Sequence, residues 1–288
     1  MQIGNKKEEI SEALEIYGTD GAHLTVTHFP ASRGRAPVIM LHGLQSHTGW
    51  FSQSARFIAG LGHPIFGLDR RGSGLSPLPR GDIGHFGQFI EDIRVLTLHA
   101  SRKYDISKVH ILGHCFGAMP ALAFACKYPG LMLSLIVTSP GLYTYTDLAL
   151  FRKMRVFFSR MASRNPYLPV PLNPEDFTDD PACQDYITRD RYALREASAR
   201  FWLAIWHMRR YIRKNRRNLT CPVFAAFAAR DHVSNTPKNI EFFCNLPSGT
   251  RWLTTYERSL HILEFGQDRD IFFRDLALWL KRFEHDDG

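Results

Sequence analysis

Apolar residues in this chain fall into two alternating patterns. Short β-like runs, mostly apolar, occupy 38–41, 64–68, 109–112, 135–137, 223–227 and 252–256. Between several of them the apolar positions return every three or four residues. Phe86, Phe89, Ile90, Ile93 and Leu96 do so, and Phe272, Leu276, Trp279 and Phe283 do so near the C-terminus. Continuous runs suit strands buried on both faces, whereas the wider spacing gives a helix one apolar face. Their alternation predicts an α/β fold, a mostly parallel central sheet flanked by helices. Two earlier segments, around 13–17 and 23–26, flank Gly18-Thr19-Asp20-Gly21 and predict a leading hairpin.

The alternation stops after Ser139-Pro140-Gly141 and resumes at Cys221-Pro222. The intervening residues read as helical or irregular, without a core strand. We expect an inserted helical cap or lid at 142–219, set on a core built from 1–141 and 220–288. Phe201, Trp202, Ile205, Met208 and Ile212 keep helical spacing inside it. Such a stripe first packs its own helix. In a cap the packed face also roofs a pocket, so Phe201, Trp202, Ile205 and Trp206 are candidates for binding substrate.

Composition narrows the function classes. The 288 residues are 44% hydrophobic, enough for one large core. No apolar run reaches the ~18 residues of a membrane span. The first eleven residues are polar and charged, which predicts no secretory signal. The five cysteines (115, 126, 183, 221 and 244) are scattered, with no Cys/His cluster of metal-binding spacing. We therefore expect a cytoplasmic setting and no metal or cofactor.

The net charge of +8 is concentrated in one stretch. Residues 151–217 hold 15 Lys and Arg against 7 Asp and Glu, while the rest of the chain is balanced. Arg209, Arg210, Arg213, Lys214, Arg216 and Arg217 lie close together. A basic segment reads either as a solvated helix face or as a contact for an anionic partner. The candidate partners are an anionic membrane surface, an acidic carrier protein, or an anionic head group held by Arg209 and Arg210. No nucleic-acid motif accompanies the charge.

Candidate chemistry centres on Gly113-His114-Cys115-Phe116-Gly117, between the apolar run at 109–112 and a helix-like stretch at 118–127. A strand, a sharp G-x-nucleophile-x-G turn and a helix make a nucleophile elbow, with glycines where helix and strand approach closely. Other segments lie in a recognisable order: Leu41-His42-Gly43-Leu44, then Asp69-Arg70-Arg71-Gly72-Ser73-Gly74-Leu75-Ser76. After the elbow come Ala229-Arg230-Asp231-His232-Val233 and Ser259-Leu260-His261. On these motifs the chain resembles an α/β-hydrolase of the monoacylglycerol lipase and lysophospholipase type over nearly its whole length. That family usually has Ser at the centre of the elbow; this chain has Cys115.

The resemblance implies a nucleophile–acid–histidine triad of Cys115, Asp231 and His261. A thiol needs a base to become a thiolate, the task of His261. Asp231 orients the imidazole, with Asp190 as its rival. The resemblance also gives the oxyanion donors as the backbone N–H groups of Leu44 and Phe116. His42 is expected to brace the oxyanion turn, and His114 to be structural.

Three readings of the cysteine stand side by side. It is a working nucleophile, as in dienelactone hydrolases and polyhydroxyalkanoate synthases; or the remnant of a decayed site in a lipid-binding protein; or a replacement that slows a serine enzyme. A thioester acyl-enzyme suits acyl transfer as well as hydrolysis. The aromatic cap, with Phe151, Phe157, Phe158, Tyr167, Phe177 and Tyr192 beside the residues above, suits a hydrophobic acyl substrate such as a lysophospholipid or monoacylglycerol.

Overall fold

The computed structural model describes residues 11–31, 34–145 and 165–284. Ten strands and seven α-helices lie within them. The strands are β1 (Glu12–Tyr17), β2 (His23–Phe29), β3 (Val38–Leu41), β4 (Ile65–Asp69), β5 (Val109–His114), β6 (Met132–Thr138), β7 (Tyr167–Pro169), β8 (Glu196–Ser198), β9 (Val223–Ala228) and β10 (Arg251–Tyr256). The helices are α1 (Ser52–Gly60), α2 (Gly87–Tyr104), α3 (Ala118–Lys127), α4 (Pro181–Arg189), α5 (Ala199–Asn215), α6 (Thr236–Cys244) and α7 (Arg269–Lys281).

Eight strands form one sheet in the order β1-β2-β4-β3-β5-β6-β9-β10. The leading hairpin adds β1 and β2 antiparallel at one edge, and β3, β4, β5, β6, β9 and β10 run parallel. This is the mostly parallel, helix-flanked sheet that the apolar pattern predicts. All six expected core strands are present, with ends shifted by a few residues at most.

Alternate side chains of each central strand enter opposite cores. Ile39, Leu41, Ile111, Leu135 and Val137 join one apolar cluster with Phe89 and Ile93 of α2 and Leu122 of α3. Val38, Met40, Leu112 and Ile136 join the other with Ile58 of α1 and Phe272, Leu276 and Trp279 of α7. Helix α3 is buried from Ala118 to Cys126, which suits its Ala-rich sequence. It stops where Pro129 disfavours a helical conformation at Tyr128.

The segment between β6 and β9 adds no strand to the main sheet among its described residues. It contains α4, α5 and a small antiparallel ribbon of β7 with β8. The ribbon departs from the helical or irregular expectation, because two three-residue strands are too short to show alternation. Phe151, Phe157 and Phe158 lie outside the described residues.

One buried carboxyl sets a pH dependence of stability. Glu264 is 2% exposed and its Oε2 accepts from the Ser54 hydroxyl at the start of α1, while Oε1 has no described partner. Burial raises its pKa to about 8 against the hydrogen bonds at Ser54 and Gln53. The unfolded chain releases this proton near pH 4.5 and the folded chain only near 8. Stability therefore falls as pH rises between those values, by up to about 5 kcal/mol. Glu264→Gln is expected to flatten that slope and to raise stability at pH 8.5. Urea unfolding at pH 5 and 8.5 checks this; an unchanged slope would rule it out.

Candidate active site

The site gathers at the C-terminal ends of the parallel strands, where open α/β sheets present their loops to ligands. Leu41 of β3 pairs in register with Gly113 of β5, and His114 pairs with Thr138 of β6. The turns that follow β3, β5 and β6 are therefore neighbours. The loops after β9 and β10 deliver Asp231 and His261.

Cys115 directly follows β5 with φ 50°, a left-handed conformation that is uncommon for a non-glycine residue. Two glycines permit the turn. A Cβ on Gly113 would lie 2.7 Å from the Ala118 nitrogen, and one on Gly117 would lie 2.3 Å from the Leu41 carbonyl oxygen. Neither place holds a side chain. The Gly141 N–H donates to the Cys115 carbonyl at 2.8 Å, which ties the elbow to the loop after β6.

His261 Nδ1 donates to both oxygens of Asp231, at 2.9 and 2.8 Å. Asp231 Oδ1 also accepts the Val233 and Ser234 amides, each at 2.8 Å, so its carboxylate is fixed. Burial is the largest influence on His261 and pushes its pKa down. The charges of Asp231 and Cys115, with the hydrogen bond to Asp231, overcome it and hold the pKa well above the ordinary histidine value. His261 Nε2 is buried and makes no hydrogen bond of ordinary geometry to any described residue, Cys115 included. Loose nucleophile–base contacts of this kind are common without substrate.

The rival acid is engaged elsewhere. Asp190 Oδ2 accepts from Trp50 Nε1 at 2.6 Å and from His47 Nε2 at 3.0 Å. His114 stacks on Phe51 with centroids 3.9 Å apart and pairs with the Thr138 hydroxyl at 2.6 Å. Burial, then the charge of His261, holds its pKa down at about 3, so it is neutral.

Leu44 and Phe116 flank Cys115 from the turn after β3 and from the elbow. A Cβ on Gly43 would meet the Cys115 Cβ at 3.3 Å and its Sγ at 3.8 Å. The Leu44 amide thus belongs to a turn packed directly on the nucleophile. His42 braces this turn: its Nδ1 donates to the Gly43 carbonyl at 2.9 Å, and its Nε2 accepts the Arg70 N–H at 3.1 Å.

Helix α5 brings some of the remaining candidates to the elbow. The Phe201 ring lies 5.8 Å from Phe116 and 6.2 Å from Phe89. Trp202 is half-buried and packs edge-on against Phe201, and Ile205 is buried in the same cluster. Trp206, 54% exposed, and Arg210 face solvent on another side of the helix. Arg209 is half-buried. Two further neighbours of the site were not assigned a place in it by the sequence, where Phe177 read only as one of the cap aromatics. Phe177 lies 5.8 Å from His261, and the Arg70 guanidinium lies 5.0 Å from the centre of the Phe116 ring. Arg70 sits at a variable position of its motif, and Phe177 in an irregular stretch.

The profile of the serine aminopeptidase, S33 family matches residues 32–268. Over 112 residues the chain is 28% identical to a monoacylglycerol lipase of Mycolicibacterium smegmatis, covering 39% of this chain and 40% of that protein. Over 126 residues it is 27% identical to human monoglyceride lipase, covering 43% and 42%. The matched stretch thus spans about two fifths of the length of these relatives. A soluble variant of monoglyceride lipase from Saccharomyces cerevisiae, solved with a substrate analogue, superposes with a TM-score of 0.84 at 18% identity, covering 99% of this chain and 98% of that one. Paleococcus ferrophilus monoacylglycerol lipase gives 0.82 at 17% identity, covering 91% and 99%. At these identities the likeness is one of fold.

Proposed function

The chain belongs to the serine aminopeptidase, S33 family and has an α/β-hydrolase fold, and from that premise we propose that it cleaves a carboxylic ester or thioester of a hydrophobic acyl substrate through a Cys115–His261–Asp231 triad. The observation that carries this reading is the strained Cys115 at the end of β5 beside a buried His261 whose other nitrogen is held by Asp231. An elbow that only closed the fold would need neither the left-handed cysteine nor the buried ion pair.

In the proposed reaction His261 takes the Cys115 proton and the thiolate sulfur bonds to the acyl carbon. The carbonyl electron pair moves to oxygen, which the Leu44 and Phe116 N–H groups stabilise. As the tetrahedral species collapses, the bond to the leaving group breaks and His261 returns the proton to it. Water or another acceptor, deprotonated by His261, then attacks the thioester and frees Cys115. Residues 142–219 serve as a cap, and Phe201, Trp202 and Ile205 form an apolar wall for the acyl chain.

A second reading is acyl transfer or thioester cleavage on an acidic carrier protein. It is favoured by the exposed cations of α5 and the turn after it: Arg210, Arg213, Lys214, Arg216 and Arg217. Among the described residues none of the five makes an ion pair, so their charge is available to an anionic partner. Among those residues, no helix is long and apolar enough to cross a membrane.

Intact-protein mass spectrometry after mixing with lipid esters, small acyl thioesters and acyl groups on an acidic carrier tests both readings. Wild type is expected to gain one acyl mass that Cys115→Ala does not. Turnover by Cys115→Ser alone would mean that the cysteine replaces a serine nucleophile. Replacing Arg213, Lys214 and Arg217 together by Gln should slow only the carrier-bound substrate; equal slowing of all three classes would remove the carrier reading.

A further inference from the structure

Arg70 is a buried cation without a carboxylate partner among the described residues. It follows β4 directly and is 6% exposed. Its neighbour Arg71 shows the ordinary arrangement, bonded to Asp92 and Asp20 at 2.6 to 2.8 Å. Asp69 is not available to Arg70 in that way, because its oxygens accept the Thr48 and Leu75 amides at 2.8 Å. The Arg70 guanidinium instead donates to two consecutive carbonyls, from Nη1 to Gly43 O at 3.0 Å and from Nη2 to Leu44 O. The rings of Phe116 and Phe201 cover it, their centres 5.0 and 5.8 Å away. Burial pushes its pKa down to about 9, against the raising influence of Asp69 and Cys115, so it remains charged at neutral pH.

The two carbonyls belong to the turn that packs on Cys115. The Gly43 carbonyl and the Leu44 N–H are ends of one peptide unit, and the chain has no cis peptide bond among its described residues. In a trans peptide these two groups point in opposite directions. Arg70 Nη1 and His42 Nδ1 both pull on the Gly43 oxygen, which fixes the plane of that peptide. The N–H is thereby aimed away from Arg70. Donors on the carbonyl also polarise the amide and strengthen its N–H as a donor.

We propose that Arg70 is a positioning residue for the oxyanion site: it locks the 43–44 peptide so that the Leu44 N–H meets the oxygen of the carbonyl attacked by Cys115. This inference rests on the acyl-enzyme reading above. A charged guanidinium is needed because two adjacent carbonyls must be held at once in a place that excludes water. Lys offers one compact ammonium and bridges them poorly.

An aliphatic aldehyde separates the two ideas. The Cys115 thiolate adds to its carbonyl carbon, the carbonyl electron pair moves to oxygen, and no group leaves. The resulting alkoxide lies at the oxyanion donors and becomes the hemithioacetal by taking back the proton that His261 removed from Cys115. Iodoacetamide reacts with the same sulfur but develops no oxyanion. Aldehyde affinity is read as protection of Cys115 against iodoacetamide. Arg70→Met is expected to weaken protection by about 30- to 100-fold, with alkylation within threefold of wild type. Arg70→Lys should lose about tenfold.

Unchanged protection in Arg70→Met would overturn the role of Arg70, as would an equal fall in protection and alkylation. If Arg70→Met does not fold, Arg70→Lys decides, and wild-type protection there overturns the proposal. Slow alkylation and no protection in wild type would instead sink the acyl-enzyme reading on which the proposal stands.

Discussion

His261→Ala lowers the rate of Cys115 acylation by about four to six orders of magnitude. Removing the base of a nucleophile–base pair elsewhere costs nearly as much as removing the whole triad, because the members act as one unit. The effect is large here because His261 and Cys115 are both buried and no other described base faces the sulfur. His114 is adjacent in sequence but neutral, buried and occupied by Thr138 and Phe51. The remaining rate comes from substrate binding and the oxyanion donors. Stopped-flow release of p-nitrophenol from a p-nitrophenyl acyl ester measures the step directly. A loss of less than tenfold would mean that His261 is not the base. Iodoacetamide labelling adds a second check. The variant should label slowly at pH 7, because no base is left beside the sulfur to take its proton.

Asp231→Asn lowers acylation by about four orders of magnitude while leaving the fold intact. The remaining Asn oxygen can still accept the Val233 and Ser234 amides that Asp231 Oδ1 holds at 2.8 Å. The new amide N–H₂ then faces His261 Nδ1 and favours the tautomer with its proton on Nε2. An Nε2 that already carries a proton cannot take one from Cys115. The sign of the pH effect follows from the charge. Asp231 helps hold the His261 pKa well above its ordinary value. Without that charge the imidazole gives up its proton at lower pH, and the imidazolium–thiolate pair covers a narrower range. The titration of His261, followed by the NMR signal of its ring, should therefore move to lower pH in Asp231→Asn. A titration that stays in place, with near-normal acylation, would assign the orienting acid elsewhere, with Asp190 the first to test.

Much of this was readable from short stretches of chain. Apolar runs such as 38–41 and 135–137 become central strands because each is apolar on both faces, and each face meets its own layer of helices. The elbow was readable because its geometry is local: a strand end, two glycines without room for a Cβ, and an all-apolar helix. The ribbon of β7 and β8 was not readable, since its strands exist only through their mutual pairing. Nor was the split of α5 into a buried face at Phe201 and a solvent face at Trp206, because helical spacing does not say which neighbour covers which side.

The sequence by itself determined the alternating layers, the position of Cys115 at a strand–turn–helix junction and the order of the groups around it, all consequences of residues close together in the chain. Only the tertiary structure decided which acid meets His261. Asp231 and Asp190 are both short carboxylates in loops, and the choice depends on the loop after β9 standing beside the loop after β10, while Trp50 and His47 take Asp190. It also decided what Arg70 does. The folded chain gives Asp69 to two amides and turns Arg70 onto the carbonyls of Gly43 and Leu44. Hydrogen-bond partners distant in sequence are assigned by the register of β3, β4 and β5, and register is a property of the assembled sheet.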